Sequence, residues 1–247
     1  TYQALDSQAD DVRLYGIDPA DFQLRVQDLR IQFNSTTPGP GGVVRPLDFT
    51  EATGGGPLAV RTGGEDVLLD FKGERLGVFA GVATLSISSF VHVQGALGFQ
   101  KNTLGPLRTT TGLPVLNARA FSVGADDLDV FVGYAENPIE TGVPLAAQPG
   151  LYGLGVEGVD LGLVIAKAGG VNYTAVKASA ERVAVLGVDP ADFQLSVQGL
   201  TVTLNSASGN SAPIDWAASF AAAGGYAVPT GGEPVLIDFR GAVVGAS

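Results

Sequence analysis

From Phe22 to Phe33 the apolar positions recur every second residue, but in two phases: Phe22, Leu24 and Val26 share one parity, Leu29, Ile31 and Phe33 the other. A period of two predicts a β-strand with a buried side and a wet side. The slip predicts that the residues between Val26 and Leu29 re-aim the chain, as a bulge or a solenoid corner would. Further strand-like runs cover 76–87, 90–99, 115–123, 128–134, 159–166 and 171–180. Turn signals separate them at Lys101-Asn102, at Gly124-Ala125-Asp126-Asp127 and at Ala168-Gly169-Gly170. Helix is expected only in 215-DWAASFAAAGG-225, where Trp216 and Phe220 stand four apart; the glycine-rich 48-DFTEATGGGP-57 allows one turn at most.

The same pattern is written twice. The stretch 14-LYGIDPADFQLRVQDLRIQFNS-35 aligns with 185-VLGVDPADFQLSVQGLTVTLNS-206, sharing DPADFQL letter for letter. Apolar positions keep their character (Ile17 with Val188, Ile31 with Val202, Phe33 with Leu204), while Arg25, Arg30 and Gln32 become Ser196, Thr201 and Thr203. One face is constrained and the other drifts. A second block, 61-RTGGEDVLLDFKG-73, answers 229-PTGGEPVLIDFRG-241, and the shorter offset places a small deletion in the loop that carries 36-TTPGPGG-42 in the first copy. Residues 1–170 therefore read as one complete unit and 171–247 as the first part of a second, continuous with it, which suggests a slice of a longer tandem array.

Composition narrows the class. Charged residues are 16% and apolar residues 45% of 247, which argues for extensive burial, and 35 Gly with 14 Pro punctuate many short elements. The net charge of −11 speaks against a nucleic-acid partner. Without Cys there is no disulfide framework, thiolate nucleophile or zinc–sulfur site, and the single histidine, His92, leaves little general-base capacity. The longest run free of fixed charge, Leu76 to Gln100, has the length of a membrane helix but is broken by Gly and polar residues and much of it alternates, so it predicts strands and no membrane insertion. No basic–apolar–small cleavage pattern precedes Thr1, as in a mature protein or an excised piece.

Few residues offer chemistry. Asp18, Asp21, Asp189 and Asp192 are duplicated, but two carboxylates three apart supply only part of a calcium shell, and no D-x-D-x-D-G loop is present. Asp18 and Asp189 fit an Asx-type turn begun by Pro19 or Pro190 better. In 124-GADDLD-129 alternation puts Asp127 and Asp129 on one face, where a polysaccharide-cleaving enzyme would need them; a solvated hairpin end explains the cluster with Asp126 more simply. His92 fits a partly exposed strand position. The glycines of 153-GLGVEG-158 lack the lysine and helix of a phosphate loop. Tyr152, Tyr173 and Tyr226 are the candidate stacking platform for a sugar, whereas Trp216, matched by Phe49 in the first copy, fits a core.

The run 90-FVHVQGALGFQK-101, followed by 128-LDVFVG-133, 159-VDLGLVIAKAGG-170 and 173-YTAVKASA-180, resembles the long repeats of giant secreted or surface-attached bacterial β-strand-repeat proteins. The resemblance implies an extracellular or cell-surface location, a structural or adhesive role and no family catalytic residue. The calcium-binding nonapeptide repeat found elsewhere in such chains is absent from this sequence, so structural calcium is left as an open cofactor and no other is expected. The expected architecture is all-β and elongated, a β-solenoid or β-helix-like rod with a tandem β-sandwich as the alternative. The expected function is a non-enzymatic rod or fibre segment whose partners are neighbouring copies of the same repeat. A surface glycan bound by a carbohydrate-binding β module is the second reading, and a polysaccharide-cleaving β-helix enzyme the third.

Overall fold

The computed structural model describes residues 1–37, 46–50, 56–189 and 191–247. In chain order the elements are β1 (Tyr2–Arg13), β2 (Phe22–Thr36), β3 (Leu58–Val60), β4 (Val67–Leu69), β5 (Arg75–Ile87), β6 (Val91–Leu104), β7 (Leu107–Arg108), β8 (Pro114–Val115) and β9 (Ala118–Ala135). There follow β10 (Leu151–Ala168), β11 (Val171–Leu186), β12 (Ser196–Ala207), the one-turn helix α1 (Trp216–Ser219), β13 (Tyr226–Val228), β14 (Val235–Ile237) and β15 (Val243–Ala246). The protein is all-β. Nine of the strands form one antiparallel sheet in the order β1-β2-β5-β6-β9-β10-β11-β12-β15, each beside its predecessor in the chain. Neither solenoid rungs nor a closed barrel is seen among the described residues.

The strands are longer than the apolar runs suggest. Residues 115–123 and 128–134 predict two strands, yet β9 runs unbroken through Gly124-Ala125-Asp126-Asp127; likewise Lys101-Asn102 lies inside β6. Cross-strand pairing on both sides overrides the local turn signal in each case. The turn at Ala168-Gly169-Gly170 is as expected, and the helix over 215–225 shrinks to the four residues of α1, capped by Asp215, whose side chain accepts from Ala218 N at 2.8 Å. Residues 51–55 of the stretch 48–57 lie outside the described residues.

The phase slip at Val26/Leu29 is present and is not local. Residues directly opposite in an antiparallel ladder share a face, so the registers place Ala9 and Val12, Val26 and Leu29, Ala80 and Ala83, Ala125 and Leu128, Val156 and Val159, Ala180 and Val183, and Val197 and Leu200 all on one side. Seven of the nine strands, all but β6 and the short β15, thus skip a residue along one transverse line. In β2 the skip is made by Asp28 at φ 52°, and at the matching place in β12 by Gly199 at φ 66°. Aspartate tolerates this left-handed conformation and glycine adopts it freely. Without the skip, half of each strand would turn its apolar side to the other face.

The two faces differ. On the covered face the chain between strands folds back in short hairpins (β3–β4, β7–β8, β13–β14), α1 and the 136–150 connection, whose Leu145 meets Phe131 and Leu151, burying three separate cores. Small strand residues allow the approach: Ala118, Ala120, Ala166 and Ala175 are buried, and a Cβ on Gly98 or Gly124 would stand 2.3 or 2.4 Å from the carbonyl of Pro229. The other face has no excursion over it, and its two central rows run across the sheet without a charge. One row is Ile31, Val78, Phe99, Val123, Leu163, Val176, Leu204 and Val244; another is Leu24, Leu85, Val93, Val130, Val156, Val183 and Val197.

The second copy repeats the first element by element. β11 and β12 take the roles of β1 and β2, and the junction between copies is the β10–β11 ladder inside the same sheet. Asn34 Nδ2 donates to the carbonyls of Leu47 and Gly73 at 2.9 and 2.8 Å; its twin Asn205 donates to those of Ile214 and Gly241, both at 2.8 Å. Phe49 N–H donates to Phe71 O and Trp216 N–H to Phe239 O, each at 2.8 Å. Phe49 and Trp216 are both core residues, as their matching predicts.

Candidate functional site

The duplicated DPADFQL segments lie at the same end of the sheet, the first running from the β1–β2 loop into β2 and the second within the β11–β12 loop, and they share the hydrogen bonds of their turns. Asp18 Oδ1 accepts from Ala20 N at 3.0 Å and Asp189 Oδ1 from Ala191 N at 2.9 Å. The carbonyl of Asp18 accepts from Asp21 N and Phe22 N, and that of Asp189 from Asp192 N and Phe193 N. The Asx-turn reading holds at both places, and each first carboxylate is already engaged by its own turn. The loops at this end (14–21, 88–90, 136–150 and 187–195) carry Asp18, Asp21, Glu136, Glu140, Asp189 and Asp192 and no basic residue. Among the described residues no group of His, Asp or Glu is arranged to hold a metal ion.

The covered face holds several hollows. The first, of about 340 Å³, lies near that acidic end, and its walls include Arg25, Ser86, His92, Phe131 and Glu136. His92 is 5% exposed, so the expectation of a partly exposed histidine is corrected. The β5–β6 hairpin sets Ser86 directly opposite His92, and Ser86 Oγ lies 2.9 Å from Nδ1. Burial pushes the imidazole below its ordinary value, against a partial lift from the Gln94 side chain. Arg25 faces the hollow but its guanidinium is bound to Asp11, at 3.0 Å through Nε; hydrogen bonds from Arg13 and Arg25 hold the Asp11 carboxyl at about 2. No carboxylate hydrogen-bonds the His92 ring among the described residues, so the Ser86–His92 pair lacks the third member that would orient it as a base.

A second hollow, of about 400 Å³, brings Asp127 and Asp129 together with Glu157, Glu181 and Arg182. The two aspartates do share it, but at the phase slip in the middle of β9, where Asp127 sits at φ 48°; the hairpin-end reading of this cluster is corrected. Burial raises the Asp129 carboxyl, the Gly158 N–H at 3.0 Å lowers it in part, and the charges of Asp127, Glu157 and Glu181 raise it further. The neighbouring carboxylates act as structural acceptors. Asp126 takes Glu233 N at 2.9 Å and so pins the β13–β14 turn to the sheet, and Asp160 takes Asp127 N at 3.3 Å. Arg182, which no local sequence pattern connects to Asp129, arrives from β11 with its Nε 3.9 Å from Glu157.

The tyrosine platform is not assembled. Tyr173 and Tyr226 are buried in the core with Trp216, and Tyr152 stands on the opposite, outward face. Gly153, Gly155 and Gly158 lie within β10, far in character from a phosphate loop. The sequence missed Ser86 as a partner of His92, although the short turn 88–90 carried the signal, since so tight a hairpin fixes which residues face each other. No helix of the described residues is long and apolar enough to cross a membrane. The chain matches no protein-family profile, and no curated protein or solved structure is detectably similar to it.

Proposed function

We propose that this chain is a structural segment of an elongated extracellular repeat sheet, a rod or fibre element that spans distance and presents its acidic loops along one margin. The observation that supports this is the β10–β11 ladder: the second copy begins by adding its first strand to the last strand of the first copy, in one unbroken sheet. Each copy then contributes the six strands β1, β2, β5, β6, β9 and β10 before the pattern restarts. At a strand spacing of about 4.8 Å this advances the sheet by roughly 29 Å per copy. Stability in such an array comes from nearest neighbours, because the second copy's α1, β13 and β14 close one core with Leu104, Leu107, Val115 and Val164 of the first. Neighbouring copies are the natural partners, since β1 and β15 are the edge strands and unpaired edges template further pairing.

Concatenating residues 1–170 two, three and four times ahead of 171–247 tests this. Small-angle scattering and electron microscopy should show the long dimension growing by roughly 29 Å per added copy at constant cross-section. Particles that grow equally in all directions would refute an extended array.

A further inference from the structure

The outward face of the sheet is a surface that the array reading does not use. Its two central rows cross eight and seven of the nine strands, and its margins remain well exposed: Phe121 at 44%, Ile165 at 42% and Leu154 at 42%. The chain exposes 14017 Å² in total, about a third more than the roughly 10,300 Å² of a compact 25 kDa monomer. Nine strands span about 40 Å across the sheet, and the apolar positions from Phe121 to Tyr134 span about 40 Å along it, so the face offers roughly 1,500 Å². The largest apolar patch of an ordinary monomer is about 300–600 Å². Two such faces together bury roughly 3,000 Å², inside the range of obligate homodimers.

Charge fixes the orientation. On the outward side the apolar rows end in Lys101, Arg119 and Lys167, with Arg119 directly opposite Lys167. Lys101 reaches only Glu74, at 4.0 Å, and no ion pair joins Arg119 or Lys167 to another described residue. The opposite end is the acidic one: its loops hold Asp18, Asp21, Asp189 and Asp192 and no cation, while the 136–150 connection with Glu136 folds over the covered face.

We infer that the outward face is the interface of a homodimer, in which a second copy of this chain packs its own outward face against it with the strands running in the opposite sense. The two-fold axis passes near the middle of β9, the central strand of the nine, and sets each basic margin beside the partner's acidic loops. The two sheets then interleave Leu, Val and Ile at about 10 Å, as in a sandwich. The inference does not depend on the edge-to-edge array, because face and edge are different surfaces with different variants.

The chain has no cysteine, which makes the orientation directly readable. Arg119→Cys and Tyr134→Cys are made separately in the full chain, mixed, and treated with a bismaleimide spanning about 15 Å, a reach set by the sheet spacing and the crossing of aligned sheets. The expected product is the mixed cross-link, with little of either homogeneous one. Sedimentation should give a dimer whose dissociation constant rises at least a hundredfold in Val130→Asp and in Leu163→Asp, and severalfold in Arg119→Glu/Lys167→Glu or at high salt. Far-ultraviolet circular dichroism and Trp216 emission check that the variants are folded. Should an aspartate variant unfold, the charge-reversal variant and the cysteine pair still decide. A monomer at tens of micromolar, a dominant product joining two Arg119→Cys chains, oligomers that ignore the face variants, or a chain that leaves solution as a monomer on phosphatidylcholine vesicles would each overturn the inference.

Discussion

Asn205 is the residue on which the second copy's excursion hangs, and its removal has a calculable cost. It is 2% exposed and serves three groups: the carbonyls of Ile214 and Gly241 through Nδ2, each at 2.8 Å, and the Trp216 indole N–H through Oδ1 at 3.1 Å. In Asn205→Ala the Ile214 carbonyl and the indole N–H stay buried without partners, at about 1–3 kcal/mol each. The Gly241 carbonyl is half-exposed and turns to water, losing about 0.5–1.5 kcal/mol. The sum is about 2.5–7.5 kcal/mol, a large part of the roughly 5–15 kcal/mol that holds a domain folded. Trp216 is the only tryptophan in the chain and is fully buried, so its emission reports the core that the second copy's excursion shares with Leu104, Leu107 and Val164, separate from the Phe49 core. Urea titration followed by that emission should show the midpoint falling, with a red-shifted native baseline if α1 lifts off. Asn34→Ala removes the same clamp from the first copy, where Phe49 stands in place of the indole, and should leave the Trp216 midpoint nearly unmoved. An Asn205→Ala shift below about 1 kcal/mol would refute the reasoning, because the partners would then have found water or each other.

The buried His92 gives a pH signature. Its folded value lies below the roughly 6.5 of the unfolded chain, so stability is full above about pH 6.5 and falls as pH drops below it, where the unfolded chain takes up the proton first. Wild type should therefore lose urea stability between pH 6.5 and 5 by more than His92→Gln does, and parallel curves would contradict the buried neutral ring. Gly124→Val would drive its side chain into the Pro229 carbonyl and should cost about 1–3 kcal/mol, with limited proteolysis cutting first in the 229–234 turn. Tyr173→Ala should cost about 3–5 kcal/mol as a core truncation, whereas Tyr152→Ala on the outward face should cost well under half of that by the same denaturation assay.

The sequence was most legible where period and repetition agree. The slip between Val26 and Leu29 needs no structure to be seen, because parity alone records which side of a strand a residue faces, and its twin in 185–206 excludes chance. The core roles of Phe49 and Trp216 were legible for the same reason, as a matched pair of aromatics. Strand ends were not. The Gly124-Ala125-Asp126-Asp127 signal is a property of four residues, whereas β9 continues through them because β6 and β10 hold its backbone on both sides. Register also lies beyond local pattern, and it alone brings Arg182 to Glu157 and Ser86 to His92. The burial of Tyr173 and Tyr226 depends on hairpins folding back over small residues, a long-range event that no single strand encodes.

The constraint that alternates along each strand has a further meaning once the registers are fixed. In a half-solvated sheet the drifting side should be the wet one, and Arg25/Ser196, Arg30/Thr201 and Gln32/Thr203 do drift; yet that side is the one the excursions cover, while the apolar side has nothing over it. The drift follows from the excursions: each copy repacks its own hairpins and re-pairs its own charges. Asp6 binds Arg30 at 2.6 Å in the first copy, whereas Lys177, which replaces Asp6, binds Asp238 at 3.0 Å in the second. A locally repaired face can change letter by letter. The outward face cannot, because its central apolar rows run from β2 to β12 without a break and a charge anywhere in them meets the same greasy neighbours on both sides. The side that keeps its character is therefore the side that must fit something common to both copies, and two copies of one chain meet that condition.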